Sequence, residues 1–205
     1  MPVTDAVDRA PLPPLPPLPS GVRLLGVTGA PGAGKSTLAA ALAAALGMAV
    51  VPMDGFHYAD AELVRRGLLD RKGAPDTFDA PGYAALLARV RAGEDDVVAP
   101  AFERTLEQPL AGAISVPPYG SVVTEGNYLL LDEPRWRRVR DQLDVVWHVR
   151  VDEEVRRRRL VARHVEFGKP LPAAREWVDR VDEPNARLVE AAAGRADAVV
   201  DLTRW

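Results

Sequence analysis

Gly29-Ala30-Pro31-Gly32-Ala33-Gly34-Lys35-Ser36-Thr37 stands between an apolar, β-branched run, Val22 to Thr28, and a helical pattern from Ser36 through Leu46. Glycines at such a strand-to-helix junction let the backbone turn its N–H groups inward around phosphate oxygens, and the positive end of the following helix faces the same anion. Lys35 is placed to reach β- and γ-phosphates, and the Ser36 hydroxyl to hold Mg²⁺. Binding of a nucleoside triphosphate by residues Gly29 to Thr37 follows, with ATP and Mg²⁺ as the expected cofactors.

The rest of the chain repeats the strand-then-helix rhythm. Ala49 to Met53 predicts a second buried strand, Ala61 to Leu69 a helix, and Pro81 to Ala92 a helix with proline in its first turn and Gly93 after its end. Further strands are predicted at Val97 to Phe102, Ser121 to Thr124, Asp144 to Val151 and Ala198 to Leu202, with helices from Glu153 to Phe167 and Ala173 to Ala192. The expected fold class is α/β: a P-loop NTPase of three α/β/α layers around a mostly parallel sheet. Ligands of such sheets bind beyond the carboxyl ends of the strands.

Composition narrows the chemistry. The 205 residues include no cysteine, which removes thiolate nucleophiles, disulfides and cysteine-based metal sites. Lys and Arg number 26 against 29 Asp and Glu, a net charge of −3, so no nucleic-acid partner is expected. No apolar stretch reaches the ~18 to 20 residues that span a bilayer, and acids occupy the N-terminus where a signal peptide is basic, so no membrane partner and a cytoplasmic location are expected. Pro11, Pro13, Pro14, Pro16, Pro17 and Pro19 alternate with leucine and mark residues 1–20 as a proline-rich tail. That tail is either a polyproline ligand for a partner's aromatic groove or an extended spacer lying on the domain. Residues 21–205 are expected to form one domain.

The acids at the strand ends carry the discrimination. Asp54, in Met53-Asp54-Gly55-Phe56-His57-Tyr58, would lie beside the phosphate loop, where a carboxylate can accept the proton of an attacking hydroxyl or bind Mg²⁺ through water. It could instead only cap the following turn. His57 could pair with Asp54 or with substrate. Glu125, ending its strand, is the expected metal-side acid with Ser36. Leu129-Leu130-Leu131-Asp132-Glu133-Pro134 imitates the corresponding segment of transporter ATPases, but their Leu-Ser-Gly-Gly-Gln signature is absent, and the acids read as the start of a helix. Asn-Lys-x-Asp, the guanine-reading motif of regulatory GTPases, is absent as well.

Taken in order, the phosphate loop, Met53-Asp54-Gly55-Phe56-His57, Gly73-Ala74-Pro75-Asp76-Thr77-Phe78-Asp79, Glu125-Gly126-Asn127-Tyr128 and Arg163-His164 resemble the uridine kinase, phosphoribulokinase and pantothenate kinase family of P-loop kinases, closest to its small subgroup with the Met-Asp-Gly-Phe-His motif. The resemblance covers almost everything after the tail. It implies that Asp54 is the catalytic base, that the Asp76 and Phe78 segment borders the acceptor pocket, and that Phe102 and Arg104 form a wall of it. Arg104 could otherwise pair with Glu103 or Glu107, and Asp79 could cap the helix after it. The chain departs from uridine kinases, which have Asp-Ser-Phe-Tyr at Asp54 to His57.

Arg156, Arg159 and Arg163 fall within one arc of the helix beginning near Glu153. The resemblance implies a helical lid over residues 153–172, whose arginines neutralise charge on the transferring phosphoryl group; the other reading is a solvated face paired with Glu153, Glu154 and Glu166. The expected activity is transfer of the γ-phosphoryl group of ATP to a hydroxyl of a small metabolite: a nucleoside, a pantothenate-like acid or a sugar. Catalytic roles fall to Asp54, Lys35, Arg159 and Arg163, acceptor contacts to Asp54, His57, Asp76, Phe78, Phe102 and Arg104, and metal contacts to Ser36 and Glu125. The alternative is an ATPase module acting on a protein partner. A homodimer is an admissible assembly.

Overall fold

The structure is a computed structural model that describes residues 12–205; the expected tail as far as Pro11 lies outside the described residues. β1 (Leu24–Gly29) leads through the phosphate loop into α1 (Lys35–Leu46) and β2 (Ala49–Pro52). Then come α2 (Asp60–Arg66), α3 (Ala80–Ala92), β3 (Val97–Glu103), β4 (Gln108–Val116), β5 (Val122–Glu125) and α4 (Pro134–Arg140). β6 (Val145–Arg150), α5 (Glu153–Glu166), α6 (Leu171–Trp177), α7 (Glu183–Ala191) and β7 (Ala198–Asp201) complete the order.

Five strands form a parallel sheet in the order β2-β5-β1-β6-β7. Alternation along each strand feeds two cores. Leu24, Val122 and Val146 face one side with Tyr83, Leu87 and Trp136, whereas Leu25, Val27, Val123 and Trp147 face the other with Leu38 and Leu42 of α1. Helices therefore cover both faces, the layering of a parallel sheet that has no wet side. Leu12, Leu15 and Leu18 pack against the core beneath α1, and residues 12–19 form neither helix nor strand. No helix among the described residues is long and apolar enough to cross a membrane.

Register sets the site. Val27 and Pro52 both lie opposite Glu125, so β1, β5 and β2 end side by side and deliver the phosphate loop, Glu125 and the turn bearing Asp54 to one edge. Helix ends follow local chemistry. Asp79 caps α3 by accepting from the Gly82 N–H at 3.0 Å, and Asp152 caps α5 by accepting from Glu154 and Val155.

Two expectations change. β3 is not part of the parallel sheet; it pairs antiparallel with β4, which the sequence pattern does not announce. Pro109 and Gly112 interrupt β4 and most of its residues are exposed, so it carries no alternating apolar signal. The helix expected over Ala173 to Ala192 is broken into α6, one π turn at Val178–Asp182, and α7. Pro184 has no N–H to offer the preceding turn and its ring crowds the carbonyl four residues back, which a widened turn relieves.

Trp136 is fully buried, with its ring centroid 5.3 Å from Tyr128 and 6.0 Å from Phe78. Trp136→Ala should lower unfolding free energy by about 3–5 kcal/mol in denaturant titration, because a cavity remains where three aromatic rings met.

Candidate active site

One cavity of about 420 Å³ runs from the phosphate loop to the β3–β4 pair and to α5. Pro31, Gly32, Lys35 and Ser36 line its loop end, and the loop is shaped by what lies behind it as much as by what it faces. Gly32 has φ +80°, and a Cβ there would come within 2.7 Å of Leu160 Cγ and 3.0 Å of the Arg156 carbonyl oxygen, so α5 rests directly on the loop. Arg156 is buried and pins this contact: its Nη2 donates to Glu183 Oε1 at 2.6 Å and its Nη1 to the Pro31 carbonyl at 3.4 Å.

Lys35 Nζ donates to the Ala30 carbonyl at 3.1 Å. Burial, opposed by the negative charge of Glu125 and Asp54, pushes its ammonium down to about 8. Ser36 Oγ donates to Glu125 Oε1 at 3.0 Å. Burial and the charge of Asp54 push the Glu125 carboxyl up, against the pull of Lys35 and Ser36. A hydroxyl and a buried carboxylate short of positive partners are hard oxygen donors that fit Mg²⁺, which takes few protein ligands and fills its shell with phosphate and water. No group of three or more His, Cys, Asp or Glu that could hold a metal occurs among the described residues.

Asp54 sits in the turn Met53–Phe56, which needs Gly55: a Cβ there would stand 2.4 Å from the Pro100 carbonyl oxygen of β3. Asp54 Oδ2 accepts from Arg104 Nη2 at 2.9 Å, leaving the side chain 28% exposed toward the cavity. Burial alone would raise its carboxyl, but the positive charge around it, from His57 when that ring is protonated and from Arg104, Lys35 and Arg163, outweighs burial and holds it below the ordinary range. The two neighbouring carboxyls are thus driven apart, Asp54 to the ionised side. His57 Nδ1 lies 2.8 Å from the Asp54 carbonyl oxygen. A carbonyl only accepts, so Nδ1 carries the proton; burial, opposed by Asp54, lowers the ring's pKa, and the neutral ring keeps Nε2 as an acceptor. Phe78 and Phe102 hold the ring with centroids 3.9 and 4.9 Å away.

Most of the residues singled out in the sequence converge here. Lys35, Ser36, Asp54, His57, Phe78, Phe102, Arg104, Glu125 and Arg163 all line the cavity. Asp76 and Arg159 do not. Asp76 forms an ion pair with Arg71 and lines a neighbouring groove with Asp70 and Arg180, because the turn Pro75–Thr77 presents it away from Asp54. Arg159, one turn before Arg163, is exposed beside Gly34 and donates to the Trp205 carbonyl at 3.3 Å, on the β7 side of the loop. Arg104 pairs with Asp54 rather than with Glu103, which accepts from Thr105, or Glu107. The far wall is lined by Lys72, His164 with Asp182, Lys169, Trp177 and Asn185, to none of which the sequence pattern assigns a role in the acceptor site.

Known proteins match this chain over most of its length. The family described as AAA domain matches residues 25–185. The "putative uridine kinase" of Schizosaccharomyces pombe is 34% identical over 196 residues, 88% of this chain and 83% of that protein. A pantothenate kinase of Nocardioides sp. is 38% identical over 86 residues, 38% of this chain and 26% of that enzyme. The solved structure of the "putative fructose transport system kinase" from Silicibacter sp. superposes with a TM-score of 0.79 at 40% identity, covering 91% of this chain and 93% of the other. Phosphate loop, parallel sheet and relatives agree: the chain belongs to the P-loop kinases of the uridine kinase and pantothenate kinase family and is a small-molecule kinase.

Proposed function

We propose that this kinase transfers the γ-phosphoryl group of ATP to a hydroxyl of a small metabolite, with Asp54 accepting the hydroxyl proton. The observation that carries the reading is one cavity in which the partly open carboxylate of Asp54, paired with Arg104, faces the lysine and hydroxyl of a phosphate loop. The main-chain N–H groups of the loop and Lys35 would bind the phosphates, and Lys35 must leave the Ala30 carbonyl to do so. Ser36 and Glu125 would hold Mg²⁺, which when bound offsets negative charge on the β- and γ-phosphates.

Asp54 enters the reaction already ionised, with one oxygen engaged by Arg104 and the other open to an acceptor hydroxyl. His57 Nε2 offers a second acceptor for a neighbouring hydroxyl. Arg163, which faces both Lys35 and Asp54, would stabilise charge on the group in transit, while α5 as lid excludes water. Positioning and electrostatics carry the rate, without a covalent intermediate. The relatives' names make nucleosides, pantothenate-like acids and sugars the acceptors to try.

Asp54→Asn should retain ATP binding and lower turnover by about 10²- to 10⁴-fold in a coupled ADP-release assay, the usual contribution of a general base. Turnover close to that of the unmodified chain would take Asp54 out of that role. Lys35 supplies a separate test. Its ammonium is half-deprotonated near pH 8 in the free protein, and a bound polyphosphate raises that pKa, so metal-free ATP should take up protons on binding at a pH of about 8. Calorimetry in buffers of different ionisation enthalpy reads the uptake; proton release, or none, contradicts it, and Lys35→Met should abolish it.

A further inference from the structure

Five carboxylates and five Lys or Arg side chains line the cavity, and pairing them leaves a remainder. Asp54 is taken by Arg104 and Asp60 by Lys72, the latter at 2.7 Å. Glu125 holds Ser36, and Asp182 accepts from His164 at 2.8 Å. Glu107 is exposed at the hairpin turn. Among the described residues, Lys35, Arg163 and Lys169 have no carboxylate within ion-pair reach; Lys35 belongs to the phosphate loop and rests on the Ala30 carbonyl, and the other two stand on the wall formed by α5 and the residues after it. Arg163 faces Lys35 and Asp54, the place of the transferring phosphoryl group. Lys169 is six residues further on and outside the helix.

The position of Lys169 is fixed. Phe167, Gly168 and Lys169 donate their N–H groups to the carbonyls of Arg163, Val165 and His164 in turn, which closes the end of α5. The side chain then lies with Nζ 5.0 Å from the Trp177 ring centroid. An aromatic face attracts an ammonium without neutralising it, so the charge stays available to the cavity. The cavity thus holds a proton acceptor at Asp54 and a second acceptor at His57, and an uncompensated cation at Lys169 in its lid wall.

We infer that the acceptor is an anionic hydroxy compound whose carboxylate or phosphate is recognised by Lys169, while a hydroxyl of the same molecule meets Asp54. This rests on the hydroxyl-kinase reading and deepens it. A neutral nucleoside leaves Lys169 without a task, whereas an anionic polyol satisfies both ends of the cavity.

The test measures ADP release with matched acceptors: hydroxy-carboxylates against their neutral amides, and hydroxyalkyl phosphates against the parent polyols. The unmodified chain should prefer the anionic member by about ten- to a hundredfold in kcat/KM, the discrimination expected of a charge-assisted hydrogen bond, and the two sets distinguish carboxylate from phosphate. Lys169→Ala should collapse that ratio toward one by raising KM for the anionic member, and Lys169→Arg should restore it. Lys169→Glu should invert it. Equal turnover of charged and neutral members by the unmodified chain, or an unchanged ratio in Lys169→Ala, overturns the inference while leaving the kinase reading intact. Failure of every hydroxyl compound to stimulate ADP release overturns the acceptor reading, and the inference with it.

Discussion

The contact between α5 and the phosphate loop constrains the rest of the site. Leu160 and the Arg156 carbonyl occupy the space that a side chain at residue 32 would need, and the buried pair of Arg156 with Glu183 ties loop, α5 and α7 together. Removing a guanidinium and a carboxylate from water is costly, and is tolerated where their hydrogen bonds are made. Arg156 meets that condition with Glu183 on one nitrogen and the Pro31 carbonyl on another. The start of α5 is therefore part of the phosphate-loop scaffold, while Arg163 in its later turns and Lys169 beyond its end line the cavity.

From that scaffold follows the electrostatic state of the cavity. Glu125 and Asp54 are near neighbours whose surroundings differ: burial dominates at Glu125, and the positive charge around Asp54, Arg104 included, dominates there. One carboxyl is left with unmet demand for positive charge and the other stands ionised. Lys35 is likewise burdened by burial and parked on a carbonyl of its own loop. Glu125 and Lys35 are thus both pushed by burial away from their charged forms, a state that a polyanion arriving with its counter-ion would relieve.

Residues close together in sequence were legible in advance. The loop, the strand after which Asp54 stands, the Asp79 cap and the placement of Glu125 at the end of β5 follow from local periodicity and spacing. The hairpin was legible only in half, since β3 is an apolar run while β4, exposed and interrupted by Pro109 and Gly112, differs little from a loop until Val97 to Glu103 pairs with it. The arginine run shows the limit most clearly. Helical spacing put Arg156, Arg159 and Arg163 on one arc, yet one is buried as a structural pin, one is exposed beside Gly34, and one faces the cavity. A helix that crosses over a loop meets different surroundings at each turn, and periodicity does not record what lies opposite.

By itself the sequence determined the phosphate-binding loop, the α/β layering and the acid at each strand end, because these depend on backbone freedom, alternating apolar residues and turn chemistry within a few positions of one another. Tertiary structure decided which charges are paired and which remain open. Asp76 is spent on Arg71, Arg104 on Asp54 and Asp182 on His164, while Lys169 rests on Trp177. Pairing is a matter of distances across elements far apart in the chain, and the free charge that remains is the quantity that selects a ligand.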